Sequence, residues 1–180
     1  MGPGKCFTIE NLLVNPEALN WLHGHVLDVN VLSDVSALSD VRIRSINLNW
    51  RGPTLTLRVD LPSFPASAPQ EWTDAGMDTV QCQLQFLAVE NISLTDWNPP
   101  SVGSVEMSPW GRESRMRVTA DGRGVALRFD CSESVRVSHV SAFQIQADGS
   151  DNGPHLFVSR IDARRHTFLP PTDEKTFYER

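Results

Sequence analysis

His23 and His25 are the first residues whose type and spacing invite a chemical reading, because an H-x-H pair on an extended strand aims both imidazoles to one side, as a zinc site needs. On a helix the same spacing splays them apart. No third ligand follows at a metal-binding interval, so no metal and no other cofactor is expected. His139 falls in phase with Val137 and Phe143, where a hydrogen-bonded core histidine is the simpler reading. Cys6, Cys82 and Cys131 leave an odd count with no C-x-x-C pair, which indicates neither a disulfide framework nor a zinc site. Cys82 shares a strand face with Val80, Leu84 and Phe86, and Cys131 with Val125, Leu127 and Phe129, so both read as small core hydrophobes. No G-x-S-x-G elbow, P-loop or G-x-G-x-x-G fingerprint occurs, and the chain is read as a non-enzyme.

Binding chemistry is better represented. Glu71, Asp74 and Asp78 gather around Trp72 in one loop, and Asp28, Asp34 and Asp40 form a rival acidic set. Either set offers a surface to a basic protein partner, the bland alternative being a solvated rim. Trp21 and Trp50 sit in regular patterns and are expected in the core; Trp72, Trp97 and Trp110 lie in loops, where they cap the sheet or touch a partner. The chain carries 16 basic and 22 acidic side chains, and the resulting charge of −6 divides into −5 for residues 1–90 and −1 for residues 91–180. This balance lacks the basic footprint that phosphates require, so no nucleic-acid partner is expected. No apolar run approaches membrane-spanning length and the N-terminus lacks a signal-peptide pattern, which makes the cytoplasm the expected location.

Strands must position these residues. In residues 54–61, Leu55, Leu57, Val59 and Leu61 alternate with Thr54, Thr56, Arg58 and Asp60, the period of a half-buried antiparallel strand. The preceding run slips parity at Ser45, from Val41 and Ile43 to Ile46, Leu48 and Trp50, which marks a β-bulge. Similar alternation recurs in residues 80–86, 115–118 and 125–130, with one face of each expected to be wet, and Val135, Val137, Phe143 and Ile145 continue one face of a longer strand. Residues 121–124, Asp-Gly-Arg-Gly, read as a hairpin turn, and residues 148–154 as a second turn before the apolar run 156–158. Asn15-Pro16-Glu17 starts a short helix over residues 16–23, whereas residues 28–40 fit a short helix or a loop. The expected fold is mainly β (α+β), an antiparallel sheet or sandwich with a short N-terminal helix. Residues 1–162 form one domain and residues 163–180 a C-terminal extension, of which residues 166–180 are expected to be dispensable.

The order of these features resembles the immunity protein 50 family of bacterial polymorphic toxin systems. The resemblance rests on the hairpin turn at Arg51-Gly52-Pro53, the Leu61-Pro62 exit, Trp72, Gly76, the strand start Thr79-Val80-Gln81 and the strand Val89-Glu90-Asn91-Ile92-Ser93-Leu94, and it spans residues 21–146. It implies a protein that binds a cognate toxin domain and neutralises it by stoichiometric occlusion. Fourteen arginines against two lysines suggest a GC-rich coding genome, which fits a bacterial source. The residues alone also accommodate a β-rich ligand-binding or structural module without a toxin partner.

Overall fold

The computed structural model describes residues 26–28, 36–50, 52–65, 68–111, 114–168 and 170, with side chains from Leu38 onward. Its strands are β1 (Val26–Asp28), β2 (Ser36–Asn49), β3 (Thr54–Asp60), β4 (Thr79–Phe86), β5 (Glu90–Pro109), β6 (Arg115–Ser132), β7 (Ser134–Phe143) and β8 (Leu156–Phe157). Two short helices, α1 (Gln70–Asp74) and α2 (Arg160–Arg165), complete the described elements. All strands join one antiparallel sheet in the order β1-β7-β4-β3-β2-β5-β6, with β8 on the outer edge of β7. The mainly antiparallel β class is therefore as expected, and a single sheet curled into a half-barrel replaces the choice between sandwich and covered sheet. The curl brings Phe86 on β4 within 5.1 Å of Phe129 on β6, ring centroid to centroid, although three strands separate them in sheet order. The helix expected over residues 16–23, with Trp21, His23 and His25, and also Cys6 and Asp34, lie outside the described residues.

Alternation built the core. Leu55, Leu57 and Val59 on β3 and Val80, Cys82, Leu84 and Phe86 on β4 are fully buried, and each large apolar side chain so placed stabilises by about 1.5–3 kcal/mol. The parity slip at Ser45 is a register shift: Ile43 pairs with Val59, and Ser45 then pairs with Arg58. Trp50 departs from expectation, standing 81% exposed, because β2 ends at Asn49 and alternation no longer assigns it a face. Cys82 and Cys131 are buried free thiols, and burial pushes each up to about 12.

Two expectations are corrected. The second face of β4 is not wet but largely covered, Gln81 and Gln83 being buried, and on β3 Thr56 and Asp60 are buried beside the half-buried Arg58. The cover comes from downstream chain, where Gln81 Nε2 donates to Asp151 at 3.0 Å and Gln83 Nε2 to the Pro170 carbonyl at 2.9 Å. Residues 121–124 are not a turn but the middle of β6, which runs unbroken through them beside β5. Gly103 lies opposite Gly122, and a Cβ on Gly122 would sit 2.4 Å from both Gly103 Cα and the Val102 oxygen. The glycines serve close backbone approach at a sharp fold of the β5–β6 ribbon. That fold explains why Arg117 Nε reaches Asp130 Oδ1 at 2.7 Å on the same strand, where a straight strand would hold residues 13 apart at about 43 Å.

The C-terminal boundary expected after Asp162 falls inside α2. Ser159 caps that helix, its hydroxyl accepting from the Ile161 and Asp162 amides at 3.1 and 3.4 Å. Asp162 is buried beside His139, with Oδ1 3.2 Å from Nδ1, which places His139 in the core as its phase suggested. Further on, the His155 amide donates to the Thr167 carbonyl at 2.8 Å, and with the Gln83–Pro170 bond this ties Thr167 and Pro170 to the body of the fold.

Candidate partner-binding surface

The chain leaves β3 at Asp60, forms α1 and returns as β4 at Thr79, so α1 sits at the end of the sheet where Asp60, Gln81 and Ser141 are cross-strand neighbours. Pro69 opens the helix, its carbonyl accepting from the Trp72 amide at 2.9 Å, and Gly76 at φ +70° follows its end. Trp72 points into the core, fully buried, with its ring 6.2 Å from Phe64. Of its two readings, capping the sheet and touching a partner, the burial fits the first, and the anchored indole leaves Glu71 and Asp74 facing outward, where both are exposed. Asp74 accepts from Gln70 Nε2 at 2.7 Å. Asp78 is exposed as well, and its Oδ1 accepts from the Ile145 amide at 2.9 Å and the Thr79 hydroxyl at 2.8 Å, which ties the loop after β7 to the start of β4.

The rival acidic set is divided by the topology. Asp40 occupies a bulge of β2 at φ +55°, exposed, two residues before Arg42, which pairs with Asp60; it therefore lies at the same end of the sheet as Glu71, Asp74 and Asp78. Asp28 pairs with Ser134, whose neighbour Val135 pairs with Phe86, and so belongs to the opposite end. Sequence reasoning did not include Asp148, which the turn over residues 146–150 brings to the acidic end; bonds from Ser150 hold its carboxyl below the usual range. The Asp-Gly-Ser-Asp-Asn-Gly run signalled the turn but not its destination.

A buried polar seam fixes this end of the sheet. Arg44 Nε donates to both oxygens of Asp60, at 2.9 and 2.8 Å, and Gln81 Nε2 donates to the same carboxylate at 2.6 Å. Arg42 and Arg44 both donate to the Gly149 carbonyl, at 3.1 and 3.0 Å, which pins the acidic turn. Burial alone would raise the Asp151 carboxyl, but the bond from Gln81 and the charges of Arg58 and Arg44 outweigh it and hold the group low. Ser141 Oγ lies 2.9 Å from His155 Nδ1, a spacing compatible with a nucleophile and its base. Both side chains are buried, Phe143 stacks on the imidazole at 4.9 Å, and Nε2 faces the Asp151 backbone carbonyl at 3.4 Å rather than a carboxylate. Burial lowers the His155 pKa and favours the neutral ring, and the contact holds the turn to β7. Among the described residues, no three metal-ligating side chains converge.

No curated protein matches the sequence significantly. The crystal structure of an uncharacterized protein from Neisseria gonorrhoeae is similar at 13% identity and a TM-score of 0.38, covering 57% of this chain and 95% of that one, a likeness too distant to carry a conclusion. The sequence matches Immunity protein 50 over residues 27–147, from the second residue of β1 to just past β7 and more than half of the chain. The protein belongs to the immunity protein 50 family.

Proposed function

We propose that this protein binds a cognate toxin domain of a bacterial polymorphic toxin system and neutralises it in the cytoplasm by stoichiometric occlusion, without turnover, nucleic acid or membrane. Family membership carries the reading. The acidic end supports its electrostatic side: Asp40, Glu71, Asp74, Asp78 and Asp148 stand exposed at bulge, helix and turn positions, and the seam pins the turn that carries Asp148. Exposed charges of one sign act mainly on encounter, raising the association rate with a basic partner and choosing among partners.

The test is association kinetics with a candidate cognate toxin domain. Glu71→Lys with Asp74→Lys should slow association by about ten-fold at low salt and leave dissociation nearly unchanged, with the difference shrinking as salt rises. Asp121→Lys, an exposed site on β6, should leave both rates near wild type. Unchanged association in the Glu71 and Asp74 variant would remove the acidic end from the interface.

A further inference from the structure

β2 and β5 part in the middle of the sheet. Their last ladder pair is Ile43 with Ser101. Among the described residues, Arg44 is the bulge, β2 from Ser45 to Asn49 then pairs with β3 alone, and residues 90–97 of β5 pair with β6 alone. The opening closes again where the Val89 amide donates to the Pro53 carbonyl at 2.8 Å. Pro99 and Pro100 lie where the strands diverge, and neither has an N–H to offer β2.

Both margins of this gap carry apolar side chains that share a face with the core yet remain uncovered. Leu48 is 53% exposed although its cross-strand partner Leu55 is fully buried, and Leu94 is 43% exposed opposite Leu127 at 2%. Strand edges bordered by uncovered apolar side chains are a template for an added strand. At one end the gap adjoins a cleft of about 300 Å³ lined by Arg44, Arg58, Pro99, Pro100 and Asp148. There the Arg58 Nε is buried without a hydrogen-bond acceptor, positioned for a backbone carbonyl of an incoming chain. Charge favours a basic segment: Asp96 stands exposed on the β5 margin and Asp148 on the cleft, whereas Arg44 is already held by Asp60, and Arg58 lies 3.7 Å from Asp151.

We propose that the gap takes up an extended, lysine- or arginine-bearing segment of the partner protein as an additional strand between β2 and β5. The identity of that partner rests on the immunity reading, whereas the pairing itself can be tested without a toxin. The probe is an end-blocked five-residue peptide alternating valine and lysine, about the length of the β2 margin, added to the full chain and followed by hydrogen–deuterium exchange. Backbone amides in residues 45–49 and 90–97 should become protected together. The valine–glutamate counterpart should bind at least about ten-fold more weakly, and N-methylation of alternate peptide bonds should abolish binding. Leu48→Lys and Leu94→Lys, both at exposed positions, remove the apolar contact and repel the lysines, and should abolish peptide protection with the melting temperature unchanged. Absence of protection by the valine–lysine peptide, protection confined to the acidic end, or equal binding of the glutamate peptide would overturn the proposal. A protected gap in a protein that fails to bind the candidate cognate toxin would instead overturn the immunity reading alone.

Discussion

Arg44→Met should be among the most damaging single changes outside the apolar core. The Arg44 and Asp60 side chains are 6% and 4% exposed, so the pair is shielded from water on both sides. Removing the guanidinium leaves a buried carboxylate with Gln81 Nε2 as its remaining close donor, and takes from Gly149 one of its two arginine donors. Stranding one member of such a pair costs about 3–5 kcal/mol, a large share of a total stability of about 5–15 kcal/mol. For a domain of this length each kcal/mol lowers the melting temperature by about 2–4 °C, so the expected fall is about 6–20 °C. Exchanging both partners, Arg44→Met with Asp60→Leu, removes the stranded charge and should recover most of the loss. Urea and thermal unfolding of the wild type, both single variants and the double variant give the coupling energy directly. A loss under about 1 kcal/mol for Arg44→Met would mean that the pair behaves as a solvated surface bridge, and the argument that the 146–151 turn closes over the sheet would fail.

Leu57→Asp should place an unpaired charge in the core and prevent stable folding, while Arg58→Ser on the half-buried neighbouring position stays within about 1 kcal/mol; equal losses in an unfolding titration would overturn the register. Gly122→Ala should cost about 1–3 kcal/mol, because the new Cβ meets Gly103 backbone rather than solvent, and a neutral effect would restore the reading of residues 121–124 as an open turn. Deleting residues 166–180 takes the carbonyl acceptors from the His155 amide and from Gln83, at about 1–3 kcal/mol for each buried donor left unpaired; an unchanged melting temperature would show that those bonds hold nothing.

Local periodicity made much of the sheet legible. Leu55, Leu57 and Val59, or Val80, Cys82, Leu84 and Phe86, each declare a face within a few residues, and the slip at Ser45 is visible because it breaks that count. Cover supplied from afar was not legible: Gln81 and Gln83 look like wet-face residues, and only the return of the chain at Asp151 and Pro170 buries them. Glycine is ambiguous by its own chemistry. The same Gly122 suits a hairpin turn or a close crossing of strands, and only the partner Gly103, 19 positions earlier, decides between them. The acidic surface was half legible for a similar reason. Glu71, Asp74 and Asp78 are neighbours in sequence, whereas Asp40 joins them and Asp28 leaves through strand order, which no local pattern encodes.

The most direct measurement is the activity of a candidate cognate toxin domain titrated with this protein, at a toxin concentration well above the dissociation constant. Stoichiometric occlusion requires activity to fall in proportion to added protein and to vanish near one copy per toxin. Complete suppression at far below one copy per toxin would demonstrate turnover and contradict a purely binding mechanism.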